Sequence, residues 1–335
     1  MKQKEGFFKK IVNYDQFGLI IGLIVVVIAA IIINPNSIWP LNNLADTLAN
    51  NSVYAILAIG IMMVLLTGGI DISIGAILAM SGVTVTEIHI AMPWLPIPVL
   101  VLIGILIGCL CGLLNGFLVG KLKMVPMIVT LGTMYIYRGV AYVISQGTWR
   151  FPHFFSDGFK NMAEYKIFGW LPSIVVWVIS VYVIAGLFLA YFRPGRRLYA
   201  IGTSAESAHV AGIKESNVKV MAFVICGGCA GLAGVLYSSY YAMVNSDIGD
   251  GHEMIAIAIC ILGGVSISGG RGRIDGVIIA VLIYSIIDTM LTMIPGFSIW
   301  KRFLQGLIII IAVIINLTSA RISDKRALRE KGARI

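Results

Sequence analysis

Long apolar segments recur along almost the whole of this chain. They lie near residues 17–33, 52–66, 72–90, 97–119, 124–144, 173–192, 218–242, 253–268, 274–294 and 303–318. A segment of about 20 apolar residues can cross a bilayer as a helix, which satisfies its backbone hydrogen bonds internally. Because 59% of the residues are hydrophobic and 12% are charged, a soluble domain is excluded. The sequence predicts an all-α polytopic membrane protein, one transmembrane domain over 1–335 with about ten transmembrane helices.

Segment length and the placement of positive charge refine this topology. Segments 52–66 and 253–268 are short for a full crossing, so we expect some helices to be broken, short or re-entrant. With a cytosolic N-terminus, ten crossings put most of the 25 Lys and Arg residues in the cytosol, the usual bias of membrane proteins. Both termini are then predicted to be cytosolic. The net charge of +9 is explained by orientation in the membrane, and no nucleic-acid partner is expected.

A polar and strongly basic loop spans 193–219, between the sixth and seventh apolar segments. Thr203 and Glu206 have the spacing of a capping box, in which each side chain accepts a hydrogen bond from an unpaired backbone N–H at a helix start. The spacing predicts a helix of about eight residues that begins at Ser204. Gly212 is the predicted stop, since glycine adopts the left-handed conformation without steric cost.

This short helix carries mainly Ala and Ser, with Glu206 and His209 as its larger polar residues. Such a small, wettable surface favours docking in a groove on a soluble partner, because the chain has few other sizeable cytosolic segments. The alternative is a surface helix that binds nothing.

Two glycine-rich stretches break the apolar pattern. The residues concerned are Gly68, Gly69, Asp71 and Ser73 in the first break, and Gly263 and Gly264 in the second. Paired glycines interrupt a helix, and Asp71 or Ser73 can cap its restart. The freed backbone groups need partners from protein or from a water-lined cavity, so both breaks are candidates for the translocation pathway. Capping is the expected role of Asp71; contact with a solute is the alternative.

The fourth apolar segment carries a stripe of glycines at a spacing of four. Its members are Gly104, Gly108, Gly112, Gly116 and Gly120. Such a stripe lets a neighbouring helix backbone approach closely. We expect it to serve packing; the alternative is that it lines a narrow pathway.

Asp288 lies within the ninth apolar segment. An unpaired carboxylate near mid-bilayer costs about 2.5 to 3.5 kcal/mol on insertion scales, so Asp288 is expected to face protein or water. A hydrogen-bonded packing role is expected, and coupling to an ion or a proton is the alternative.

The long loop 145–172 is predicted to lie outside the cell and is rich in aromatic residues. Its positive residues Arg150, Lys160 and Lys166 can dock an acidic partner. A solvated cap over the transmembrane helices is the alternative.

No complete nucleotide-binding loop occurs in the sequence. The stretch 116–122 comes nearest, but it is one residue short and lacks the Ser or Thr that binds magnesium. No His, Asp or Glu cluster has metal-ligand spacing, and no cofactor is expected. Uphill transport must then draw on an ion gradient or on a separate ATPase.

Four motifs resemble those of one known family. They are LTGGIDISIGAILAMSG (66–82), TLGTMYIYRG (130–139), GTSAESAHVAGI (202–213) and EMIAIAICILGGVSISGGRGRIDG (253–276). Together, and in this order over nearly the whole chain, they resemble the membrane permease of the ribose/autoinducer-2/rhamnose class of bacterial ABC sugar importers.

The resemblance implies a non-enzymatic subunit of the bacterial inner membrane that pairs with a second permease subunit, identical or different. Its other partners would be two cytosolic ABC ATPase subunits, or one fused ATPase, and a periplasmic sugar-binding protein. The predicted loop helix would be the coupling helix, with Thr203, Ser204, Glu206, His209 and Gly212. The rival interpretation is an ion-driven secondary transporter with Asp71 and Asp288 as coupling acids. An intramembrane enzyme using His252 and Glu253 is weaker, because no nucleophile or metal accompanies them.

Overall fold

A computed structural model describes residues 16–33 and 41–293, with residues 296, 300, 303, 306 and 307. The segment 303–318 and both termini therefore lie largely outside the described residues. The helices are α1 Phe17–Ile33, α2 Leu41–Asn50, α3 Ser52–Leu65, α4 Ile74–Ala91, α5 Ile97–Gly120, α6 Pro126–Ser145, α7 Asp157–Glu164, α8 Ser173–Tyr191, α9 Arg193–Thr203, α10 Ala205–Val210, α11 Glu215–Tyr241, α12 His252–Leu262 and α13 Ile274–Met293. Pro152–Phe154 forms one 3-10 turn, and β1 Lys166–Ile167 pairs antiparallel with β2 Leu171–Pro172.

The first nine predicted apolar segments each contain a helix. By length and composition, six described helices can cross a membrane: α4, α5, α6, α8, α11 and α13. A seventh crossing results if α2 and α3, bent by 47° at their junction, count as one. Helices α1 and α12 are apolar but shorter. The chain is thus an all-α, multi-pass membrane protein, with six or seven membrane-length crossings among its described residues.

Helix α11 forms the centre of the bundle, with its most extensive packing against α5, α4 and α3. The glycine stripe of α5 lies against α11. A Cβ at Gly108 would collide with the carbonyl oxygen of Gly227, and a Cβ at Gly227 would collide with that of Gly108. The packing interpretation of the stripe is therefore confirmed, because the two backbones touch where both helices lack side chains.

Both predicted breaks are present. Helix α3 ends at Leu65 and α4 begins at Ile74; α12 ends at Leu262 and α13 begins at Ile274. Gly68 and Gly264 have φ of +77° and +82°, a conformation that glycine adopts freely. Gly69 does not share it, and a Cβ there would lie 3.2 Å from the Val64 side chain. In each predicted glycine pair, therefore, one member is left-handed, and in the second break Gly269 and Gly270 are left-handed as well.

The two ends of the bundle are distinguished by their loops. Helix α8 joins the loop 145–172 at one end to α9 and α10 at the other. We call the first the outer end and the second the inner end. Val244, just beyond α11, bridges to Arg150 through two backbone hydrogen bonds of 2.9 and 3.1 Å. The C-terminal end of α11 therefore lies at the outer end.

Candidate translocation and coupling sites

The two glycine-rich breaks meet at the inner end. The backbone N–H of Gly270 donates a 3.0 Å hydrogen bond to the carbonyl oxygen of Leu66. Gly269, with φ of +88°, packs so closely that a Cβ there would lie 2.8 Å from the amide nitrogen of Gly68. Two breaks about 200 residues apart in the sequence therefore form one backbone junction, which we call the inner junction: residues 66–69 and 268–270.

Helix α9 rests on this inner junction. A Cβ added to Gly202 would collide with both the Leu66 carbonyl oxygen and the Gly270 amide nitrogen. One turn earlier, the Tyr199 hydroxyl donates a 3.0 Å hydrogen bond to the carbonyl of Gly272. Burial raises the pKa of Tyr199, so its hydroxyl stays protonated and serves as a hydrogen-bond donor. The polar loop is thus in direct contact with both breaks.

Helix α9 was not predicted from the sequence. Its signals were nevertheless present: Pro194 stands in its first turn, and Leu198 and Ile201 are buried on one face. Proline is favoured in a first turn, where the missing N–H costs no hydrogen bond. The strongly basic composition of the segment is typical of a loop and masks this apolar spacing.

The predicted capping box is wrong. Thr203 is the last residue of α9, and its hydroxyl donates a 2.8 Å hydrogen bond back to the Tyr199 carbonyl. The cap of α10 is Ser204, whose Oγ accepts a 3.1 Å hydrogen bond from the Ser207 N–H. Glu206 stands in the first turn, where its charge suits the positive end of the helix dipole. A residue that is still helical cannot cap the next helix, so the cap moves one position on.

The predicted stop is confirmed. Gly212 has φ of +76°, its N–H bonds to the His209 carbonyl, and the N–H of Ile213 bonds to the Ala208 carbonyl. This pair of bonds is the Schellman motif. Helix α10 has six residues rather than about eight. Ala208 is its only buried residue, while Glu206 and His209 are exposed, so the helix presents most of its surface to solvent.

Asp71 lies in a buried polar network within the first break. Its Oδ1 accepts hydrogen bonds of 2.9 Å from the backbone N–H of Ser73 and 2.6 Å from its hydroxyl. Asn115 on α5 donates 2.8 Å to the Ser73 hydroxyl, and Tyr137 on α6 donates 3.1 Å to the Asn115 amide oxygen. Ser73 occupies the N-cap position of α4 without a side-chain capping bond. The predicted capping role of Asp71 is therefore wrong, because its carboxylate binds Ser73 and no N–H inside α4. The network instead links the start of α4 to α5 and α6.

The second break packs against the start of α13. A Cβ at Gly263 would lie 2.8 Å from the backbone nitrogen of Val277, and one at Gly276 would collide with the Gly263 carbonyl oxygen. No described residue lies within 4 Å of a Cβ added at Gly264, so the left-handed φ of Gly264 is what requires glycine there.

Arg138 holds the chain that leads into α12. Its Nη1 donates 2.7 Å hydrogen bonds to the carbonyls of Ser246 and Ile248. Just after this, Gly249 and Glu253 pack against Gly75 in the first turn of α4. An arginine within a span is thus satisfied by backbone carbonyls, and it fixes the segment 242–251 against the bundle.

A cavity of about 450 Å³ opens among the outer ends of α2, α3, α11, α12 and α13. Its described lining includes Asp46, Asn50, Tyr54, Tyr241, His252 and Asp288. We call it the outer cavity. Asp288 was predicted to face protein or water, and it lies on this cavity wall. The grouping with Asp46 and the tyrosines had no signal in the sequence, because the contributing segments are far apart along the chain.

The three positive residues proposed for docking have different surroundings. Arg150 forms a 2.7 Å ion pair with Glu87 and lies 5.6 Å from the Phe154 ring. Lys160 pairs with Asp157 at 2.9 Å. Lys166, on β1, is exposed and has no ion-pair partner among the described residues. Of the three, Lys166 alone presents its charge without such a pairing in the part of the chain that the structure describes.

The structure combines a bundle of membrane-length helices, two breaks that contact a polar helix at the inner end, and a polar cavity at the outer end. This combination defines a class: a multi-pass membrane permease. Residues 43–313 match the family model described as branched-chain amino acid transport system / permease component. The chain belongs to this family.

Individual relatives cover most of the chain. The ribose import permease protein RbsC of Bacillus subtilis (strain 168) is 36% identical over 92% of this chain and 96% of its own length. The L-arabinose transport system permease protein AraH of Escherichia coli (strain K12) is 34% identical, covering 90% of both chains. The D-allose transport system permease protein AlsC of the same strain is 33% identical over 90% of this chain and 92% of its own. No solved structure matches this chain.

Proposed function

We propose that this chain is the permease subunit of an ABC importer in the bacterial inner membrane, forming the pathway for a sugar or a sugar-like solute. The names of its relatives, which concern ribose, L-arabinose and D-allose import, support a sugar over other solutes. They also favour this function over ion-driven secondary transport. The subunit itself hydrolyses nothing; a separate cytosolic ATPase supplies the energy.

The proposed topology has ten crossings and cytosolic termini, with 1–335 as one permease domain. In it, 193–219 is the cytosolic coupling loop and 145–172 the periplasmic loop. Two observations support this orientation. The basic residues of 193–219 and of 271–273 lie together at the inner end, as the Tyr199–Gly272 contact requires. The aromatic-rich loop lies at the opposite end of the bundle, as expected for this charge bias.

The coupling role is supported above all by the close contact between Gly202 and the inner junction. A partner that moves α10 would act on α9 and, through Gly202, on Leu66 and Gly270 without any intervening side chain. We therefore assign contact with the ATPase to α10. The residues concerned lie in α10 or at its two ends: Thr203, Ser204, Glu206, His209 and Gly212. Gly68, Gly69, Asp71, Ser73, Gly263 and Gly264 form the breaks that respond.

The proposed assembly contains a second permease subunit, two ABC ATPase subunits or one fused ATPase, and a periplasmic sugar-binding protein. The proposed docking surface for the binding protein consists of Lys166, Arg150 and Lys160. The exposed apolar faces of α5 and α6 support contact with lipid or with the second subunit, since Leu110, Ile128 and Val143 are 65 to 74% exposed.

Reconstitution tests this function directly. Proteoliposomes containing the permease and its ATPase, with binding protein outside, should take up ribose, arabinose or allose only when ATP is supplied. Ionophores that collapse ion gradients should leave uptake intact. Uptake that persists without the ATPase and stops when the gradients collapse would identify an ion-driven transporter instead.

A further inference from the structure

The outer cavity has the chemistry of a site for a hydroxylated solute. Asp46 and Asp288 supply carboxylate oxygens, and Asn50 supplies an amide. Carboxylates accept strong hydrogen bonds from hydroxyl donors, and an amide both donates and accepts. The cavity volume, about 450 Å³, lies within the range of small-molecule sites, about 300 to 1,000 Å³.

Aromatic rings supply the rest of the wall. Tyr54 and His252 lie with ring centroids 4.5 Å apart, and Tyr237 and Tyr241 with centroids 4.6 Å apart. The Tyr241 hydroxyl donates a 3.2 Å hydrogen bond to the Asn50 carbonyl, which ties α11 to α2. Rings of this kind offer a flat apolar face beside polar groups, and a sugar ring likewise has C–H faces and hydroxyl edges.

The charge of the cavity selects against anions. Among its described lining residues there are two carboxylates and no Lys or Arg. Against these described residues, the carboxylate of an amino acid or the phosphate of a sugar phosphate would lie beside like charge, which is costly in a partly desolvated site. A neutral polyol meets no such penalty.

The location of the cavity suits solute entry. It lies at the outer end, on the same side as the loop 145–172, and the ends of five helices contribute to it. His252 begins α12, whose C-terminal end leads into the second break and so into the inner junction. A solute bound in the outer cavity would therefore contact α12, the helix that also leads to the inner junction.

From these features, and building on the proposed import function, we infer that the outer cavity is the permease's own binding site for a neutral polyol such as an unphosphorylated sugar. Asp288 and Asp46 accept hydrogen bonds from its hydroxyl groups, and Tyr54 and His252 contact its apolar face. The permease thereby excludes amino acids and sugar phosphates independently of the binding protein.

Protection from thiol labelling tests this site. A cysteine replaces Thr289, which lines the cavity, and a control cysteine replaces Glu164, exposed on α7 at the same end. The parent protein gives the background from its five native cysteines, which are buried or half-buried in the helices. The full transporter in proteoliposomes is labelled with a membrane-impermeant maleimide in the presence of ribose, arabinose, allose, ribose 5-phosphate or leucine.

At least one of the three sugars should slow labelling of Thr289→Cys about threefold or more at concentrations above its dissociation constant. Neither ribose 5-phosphate nor leucine should do so, and labelling of Glu164→Cys should not respond. Adding Asp288→Asn should abolish the protection, whereas Glu164→Gln should preserve it. Protection by leucine or ribose 5-phosphate equal to that by sugar would overturn the assignment to a neutral solute.

Uptake by the same proteoliposomes separates this inference from the function it rests on. If sugars are imported with ATP but no sugar protects Thr289→Cys, the cavity is not the binding site and the import function stands. If sugar protects this position but no ATP-driven uptake occurs, the site stands and the import function fails.

Discussion

The backbone N–H of Gly270 donates a 3.0 Å hydrogen bond to the carbonyl of Leu66, and Gly202 lies against both atoms. The two breaks and helix α9 therefore meet at this point through backbone atoms. Backbone contacts of this kind leave little room for side-chain adjustment, because interiors transmit strain rather than absorb it. Displacement of α9 should accordingly alter the positions of α3 and α12 together.

Gly202→Ala should impair coupling, because the new methyl group collides with the Leu66 carbonyl and the Gly270 amide. Overpacking at such a contact costs about 1 to 3 kcal/mol, so we expect reduced stimulation of the ATPase by loaded binding protein. Gly132→Ala is the control, since an added Cβ there has nothing within 4 Å. Membrane levels and stimulated hydrolysis are measured for both. Wild-type stimulation in Gly202→Ala would contradict a coupling role for the inner junction.

The ends of α10 give a second pair of variants. Gly212→Val should distort the helix end, since Gly212 has φ of +76° with open space around it, and the cost of about 1 to 2 kcal/mol comes from the backbone alone. Ser204→Ala should cost about 1 kcal/mol through loss of the cap. Glu206→Ala should have a milder effect. All three should reach the membrane normally and lose ATPase association or stimulated hydrolysis, most in Gly212→Val.

Thr203→Ala is the control for the cap assignment. Its hydroxyl bonds within α9 and caps nothing in α10, so stimulated hydrolysis should fall less than in Ser204→Ala. A larger defect in Thr203→Ala would restore the capping box. Unaltered coupling in Gly212→Val would make α10 a surface helix only.

Orientation can be checked by labelling single cysteines. Ala205→Cys should react only with reagent on the cytosolic side and Ser156→Cys only with reagent outside, since both residues are exposed and α8 separates their loops. Labelling of both positions from the same side would exclude the ten-crossing topology.

Charge reversal at Lys166 tests docking of the binding protein. Lys166→Glu should slow its association and make that rate less sensitive to salt, because complementary charge acts mainly on encounter. Arg150→Glu is a poorer probe, since it also breaks the 2.7 Å pair with Glu87. The association rate is measured at two ionic strengths. Equal rates for Lys166→Glu and the parent would leave the loop 145–172 as a solvated cap.

The sequence by itself predicted much of the local structure. Apolar length gave the positions of nine helices, and paired glycines gave both breaks, since each property depends on neighbours along the chain. The glycine stripe of α5 also predicted close packing, because small residues at a spacing of four share one face of a helix. The stop at Gly212 was predicted for the same local reason: one residue alone fixes the left-handed conformation.

The tertiary structure decided which breaks touch, where α9 rests and what lines the outer cavity. Gly270 and Leu66, or Asp288 and Tyr54, are brought together by tertiary packing, and no spacing along the chain records such a pairing. The cap of α10 shifted to Ser204 because α9 extends through Thr203, and α9 is held by burial of Leu198 and Ile201 against the bundle. Packing energy outweighs a local capping preference of about 1 kcal/mol, which is why spacing alone misassigned that cap.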